Sequence, residues 1–249
     1  MSHIIILAYL MIALSSCTCS NSTHPANNNP SSDDPGGKPN MLTPINWSPA
    51  GPVYKAKVRI QQDKLWLTNL GIDLHVKQAV VVNASNESMS YGGGGINGAL
   101  QGYVAASEEQ TAAWRNLALP DGSIPKGIKA GEYAISDVSF GKIFHACGPR
   151  ASGVSSLEEA KNQVSTLYHN MLCKAHQDGM NHIVLPAIST EIFAGDGQGF
   201  TKKEFIHAVY EGMIESIDTF QRKYPGHSLT IIVNNWEEKV VEQVRKLTP

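Results

Sequence analysis

Short apolar blocks alternate with longer helical stripes along this chain. Residues 53–60 alternate as a half-buried strand does. Residues 64–68 set Leu65 and Leu67 on one side and Trp66 on the other, which predicts a second short strand. Residues 79–83 are apolar up to Asn83, the pattern of a strand covered on both faces. From Asn97 to about Leu117 the period becomes helical, with Leu100, Tyr103 and Val104 on one face. A loop follows over residues 120–131. Strands are then predicted over residues 133–138 and 142–147. Leu157, Ala160, Val164, Leu167, Met171 and Ala175 make the next helical stripe, and Gly179 ends it. A strand over residues 183–185 stops at Pro186. Ile206, Val209, Met213, Ile217 and Phe220 form another helix face, and residues 229–233 the last strand. Asn234 or Asn235 can cap a final helix, with Glu237 and Glu238 in its first turn and Arg245 and Lys246 in its last. Alternating strands and helices indicate a layered α/β domain.

The beginning of the chain breaks this pattern. Residues 4–14 are apolar apart from Tyr9, too short to span a bilayer as a mature helix. They read as the core of a secretory signal over residues 1–16, although no Lys or Arg precedes them. Leu14, Ser15, Ser16 and Cys17 resemble a bacterial lipoprotein box, which implies lipidation at Cys17. Residues 17–52 are rich in Asn, Ser, Pro and Gly and read as a flexible tether, leaving residues 53–249 as the folded domain. The expectation is a bacterial envelope protein held to the membrane only through its lipid. The alternative is a cytoplasmic protein started at Met41. A formal charge of −2 over 249 residues argues against a general nucleic-acid surface. No pair among Cys17, Cys19, Cys147 and Cys173 shows metal-ligand spacing. Small buried thiols are the simple reading of the last two, with a disulfide between them left open.

Two loops carry the candidate chemistry. The first follows the 79–83 strand and reads NASNESMSYGGGGING, with Gly92, Gly93, Gly94 and Gly95 in a row. Glycines let a ligand approach the backbone, and a helix start offers unpaired N–H groups to an anion. The second, LPAISTEIFAG, follows the 183–185 strand. Ser189 and Thr190 supply hydroxyls, and Ile192 and Phe193 supply apolar surface. Two loops at strand carboxyl ends can face each other across a crevice, where open α/β sheets bind ligands.

In order and spacing, NASN with its glycine loop, FHACGP (residues 144–149) and LPAISTEIFAG together resemble the motifs of macro domains. The resemblance covers residues 58–247. It implies a three-layer α/β/α fold with a mixed central sheet and binding of ADP-ribose or its derivatives, with no cofactor and no metal. It also leaves open the hydrolysis of ADP-ribosyl or O-acetyl-ADP-ribose esters. Carried over residue by residue, Asp73 would bond the adenine amino group, or is a solvated turn residue. Asn86 would contact the distal ribose, and Asn83 would hold the loop. Gly92, Gly93, Gly94, Gly95 and Ile96 would wrap the distal ribose and diphosphate. Ser189, Thr190, Glu191, Ile192 and Phe193 would bind the diphosphate through their N–H groups, with Phe193 packed on the ribose or in the core. Asn234 and Trp236 follow the last strand near the adenine, and helix packing is the simpler role for Trp236. His145 reads as a core histidine.

Three departures qualify the resemblance. Asn97 stands where hydrolytic members carry Asp, and an amide cannot act as a general base. Asn86 and Asn97 are therefore the candidate catalytic positions without an acid between them. Glu191 and Ala194 replace glycines of the second loop, and Glu191 is expected to point outward. Tyr91 stands where some members carry His, and would bond the distal ribose or, more simply, is a loop aromatic. Glu108 and Glu109 read as a solvated helix face. Three functions compete: an ADP-ribosyl hydrolase, a non-catalytic ADP-ribose reader, and an envelope lipoprotein that keeps the fold without the ligand.

Overall fold

A computed structural model describes residues 43–46, 57–62, 77–90, 96–98, 100 and 116–235. All of them lie in the compact unit Pro35–Pro249. The expected leader, Cys17, the 64–68 strand, Asp73, Tyr91, the four glycines, Glu108, Glu109, Trp236 and the final helix lie outside the described residues.

Seven strands form one mixed sheet: β1 (Thr43–Asn46), β2 (Lys57–Gln62), β3 (Ala79–Ala84), β4 (Tyr133–Val138), β5 (Gly141–Ala146), β6 (His182–Leu185) and β7 (Thr230–Asn235). Their spatial order is β1-β2-β7-β6-β3-β5-β4. The five central strands run parallel, and β1 and β4 close the edges antiparallel. The valine run of β3 sits at the middle, buried on both faces, as an apolar strand of a parallel core should.

Two long helices cover one face. In α1 (Leu157–Gln177), Ser156 caps the start by accepting from the Glu159 N–H, and Glu158 and Glu159 suit the dipole. In α2 (Lys202–Lys223), Thr201 and Glu204 form a reciprocal capping box. Their apolar stripes bury against Val80, Val82, Phe144, Ile183, Leu185, Ile231 and Val233. A Cβ on Gly212 would lie 2.5 Å from the Lys161 carbonyl oxygen, so glycine lets the two helices cross closely. The opposite face carries Ala79, Val81, Ile143, Val184 and Ile232 beneath Leu100, with Ile96 packed alongside. Helices on both faces make this a three-layer α/β/α domain, the fold the motifs implied.

The expected boundaries shift in three places. β1 falls inside the 17–52 stretch read as tether and pairs with β2, Ile45 against Val58. Backbone pairing at a sheet edge outweighs the Asn/Pro-rich composition there. The helix expected to reach Leu117 has ended by Asn116, and Ala118 bridges Ile135 through two backbone bonds. Asn234 and Asn235 belong to β7, opposite Gln61 and Gln62, so Asn234 is not a helix cap. Cys147 and Cys173 are both buried and free, which closes the question of a disulfide between them.

Candidate functional site

β3 and β6 are parallel neighbours, Ala79 opposite His182, so the loops that leave them emerge side by side at the carboxyl edge. The sequence-predicted residues Asn83, Asn86, Ser189, Thr190, Glu191, Ile192 and Phe193 therefore collect at one edge of the sheet. Asn234 joins Asn83 on the same sheet face. Register pairs Val81 with Val184 and Val184 with Ile232, and each asparagine lies two residues further on.

A buried polar chain fixes the first loop. The Asn83 side chain is fully buried, and its Nδ2 donates to Asn97 Oδ1 at 3.2 Å and to His145 Nδ1 at 3.2 Å. The imidazole accepts at Nδ1, so the proton sits on Nε2 and bonds Ser136 Oγ at 2.8 Å. Asn97 Nδ2 in turn donates to the Ser90 carbonyl at 3.1 Å. Asn97 thus ties the start of its helix to β3 and to the loop. Asn86 is exposed, and its Oδ1 accepts from Ser88 Oγ at 2.9 Å and from the Ser90 N–H at 3.3 Å. The Asn86 NH2 is the group left to donate to a ligand hydroxyl.

Burial pushes His145 down to about 3, so it is neutral at physiological pH. An unfolded chain would protonate this ring near its ordinary value of 6.5, and the native chain would not. The unfolded state therefore binds more protons between those values, and stability falls as pH drops through that window. Burial and the neighbouring His176 push His227 down to about 4, with the same sign. Denaturation midpoints should be flat above about pH 7 and decline below it, and His145→Gln should flatten part of the decline. A pH profile identical to that of the wild type would contradict this role.

The second loop is held from beneath. The Tyr168 hydroxyl, fully buried in α1, donates to the Pro186 carbonyl and accepts from the Ile188 N–H at 3.0 Å. Thr190 Oγ1 bonds the Ala187 carbonyl at 2.9 Å. Ser189 adopts φ 66°, a left-handed turn uncommon for a residue with a Cβ. The turn aligns N–H groups. Among the described residues, no partner takes the N–H of Glu191 or Ile192. Consecutive free N–H groups make a concavity suited to an anion. Glu191 is exposed, and Ile192 is 91% exposed. Three buried polar atoms at this edge, Asn83 Oδ1, Ser189 Oγ and Asn234 Oδ1, have no partner among the described residues.

One contact had no counterpart in the sequence reading. Arg150 follows the FHACGP strand end. Its Nε and Nη2 bond the two Glu87 carboxylate oxygens, each at 2.9 Å. The same guanidinium lies 3.8 Å over the Phe193 ring. The pairing holds the Glu87 carboxyl at about 2, well below the usual range. Arg150 directly after a strand end was the available signal, but its partners are distant in sequence. Cys147 beside it is a poor nucleophile, its thiol pushed up to about 11 by burial. Among the described residues, no three His, Cys, Asp or Glu side chains converge to hold a metal.

Residues 82–200 match the family model described as Macro domain. This chain carries a macro domain. The domain is 30% identical over 203 residues to protein mono-ADP-ribosyltransferase PARP14 of Homo sapiens, covering 78% of this chain and 10% of that protein. It is 32% identical over 114 residues to the O-acetyl-ADP-ribose deacetylase of Cronobacter sakazakii, covering 46% of this chain and 60% of the deacetylase. The chain spans less than two thirds of either relative's length. Among solved structures it resembles a Trypanosoma brucei macrodomain in complex with ADP-ribose. That match has a TM-score of 0.57 and 17% identity, and covers 84% of this chain and 75% of the other. An Oceanobacillus iheyensis macrodomain with MES bound matches with a TM-score of 0.56 and 21% identity, covering 79% and 93%.

Proposed function

We propose that this macro domain binds ADP-ribose, free or attached to another molecule, along the carboxyl edge of β3 and β6. The observation that carries the reading is the pairing of the two loops. The second presents Glu191 and Ile192 N–H groups without a partner among the described residues, suited to a diphosphate. The first presents the Asn86 amide, suited to a ribose hydroxyl. Glu191 is exposed, so solvent screens its charge from a bound phosphate.

Hydrolysis of ADP-ribosyl or O-acetyl-ADP-ribose esters is the second reading, supported by the deacetylase relative. Asn97 weighs against it, because its carbonyl accepts from Asn83, its NH2 donates to Ser90, and it has no basic atom. Turnover would instead need a water oriented by Asn86 and the substrate's own hydroxyls. Asn86→Ala should weaken ADP-ribose binding about five- to a hundredfold, the loss of one hydrogen bond to the ligand of about 1–3 kcal/mol. Titration of both proteins checks this, and equal affinities would misplace the ribose. Incubation with a mono-ADP-ribosylated protein separates the two readings. Bound but unreleased ADP-ribose indicates a reader, and release abolished by Asn86→Ala indicates a hydrolase.

A further inference from the structure

We propose that Arg150 is a positioning residue that sets the preference of the site for ligands carrying a second sugar beyond the diphosphate. The inference rests on the ADP-ribose reading of the same site. Three separate segments meet at this side chain. Glu87 belongs to the loop after β3, Arg150 to the turn after β5, and Phe193 to the loop after β6. The ion pair is bidentate, with both bonds at 2.9 Å, a geometry the planar guanidinium supports and a lysine ammonium cannot. The face of the same group stacks on Phe193, where the ring quadrupole attracts a cation.

Further bonds hold both ends of the latch. The Ala151 N–H, next in sequence, donates to the Phe193 carbonyl at 3.0 Å. The Glu87 carbonyl accepts from the Ile128 N–H at 2.9 Å. Phe193 also packs against the cluster of Met89, Ile128, Ala134 and Cys147. The ring is therefore gripped between a small apolar cluster and a cation, and its distance from Asn86 is set through Glu87, the next residue along the first loop. The diphosphate-binding N–H groups depend on the Ser189 turn and on Tyr168, neither of which touches the latch. Loosening the latch should blur the sugar end of the site and spare the phosphate end. The Glu87–Arg150 pair is about half exposed, so its contribution is placement more than stability.

The experiment compares ADP-ribose with ADP, which ends at the diphosphate, on the full chain and on Glu87→Gln, Arg150→Lys and Arg150→Gln. ADP affinity serves as the control for folding and for the phosphate site, and should change less than about twofold. ADP-ribose affinity should fall about five- to tenfold in all three variants, with Arg150→Gln the weakest. Parallel losses for both ligands, or no loss for either, overturn the proposal while leaving ADP-ribose binding intact. A gain of ADP-ribose affinity in Arg150→Gln also overturns it, because the guanidinium would then be occupying the sugar's place. A wild-type chain that binds neither nucleotide overturns the ADP-ribose reading and this proposal with it.

Discussion

Gly148→Ala should lower stability by about 1–3 kcal/mol and reduce ADP-ribose affinity at least tenfold, the strain of overfilling a packed site. Gly148 is buried in the turn after β5, against the second loop. A Cβ there would sit 2.2 Å from Ser189 Oγ and 2.4 Å from Ile188 Cγ2, distances that no pair of real atoms keeps. The serine hydroxyl can rotate away, but the isoleucine branch is buried and cannot move alone. The loop must therefore shift around Ser189, which already holds an uncommon backbone conformation. The N–H groups that follow shift with it. Chemical denaturation reads the first effect and nucleotide titration the second. A variant of native stability with unchanged affinity would show that the second loop does not define the phosphate site.

Tyr168→Phe should cost about 2–4 kcal/mol, because it orphans two buried backbone groups at once. The hydroxyl satisfies both the Pro186 carbonyl and the Ile188 N–H, and phenylalanine fills the same space with neither bond. The change should lower the denaturant midpoint without altering the slope, since the surface exposed on unfolding stays the same. Loss of affinity should follow, because Tyr168 anchors the loop from which Ser189 turns. An unchanged midpoint would mean that these groups find other partners and that the anchor is dispensable.

The fold was legible wherever burial wrote a period into the chain. The valine run of β3 and the stripes of α1 and α2 announced their elements within a residue or two at most ends. Composition misled where backbone pairing decides. Thr43–Asn46 looks like tether, yet its ladder with β2 needs only backbone groups, and as an edge strand it tolerates Pro44. The stripe that begins near Leu100 gave no stop signal, and the bridge from Ala118 to Ile135 depends on a strand still to come in the chain. Asn234 looked like a cap because asparagines favour caps, but the parallel partner β2 extends the strand through it.

The same division runs through the site. Asn83, Asn86 and the second loop were visible because they lie at strand ends within short motifs. Arg150 was not, since its role depends on Glu87 and Phe193, which only the sheet order brings beside it. The left-handed turn at Ser189 was equally hidden, because nothing in a serine marks a positive φ. Asn97 was visible as a substitution, while its ties to Asn83 and Ser90 arise only in the folded loop.

Binding of ADP-ribose is the central claim, and isothermal titration of the purified full chain with ADP-ribose tests it most directly. The paired loops predict a saturable isotherm with one ligand per chain and an affinity of micromolar order, about −8 kcal/mol. A folded chain that shows no saturable heat with ADP-ribose at millimolar concentration would contradict the account.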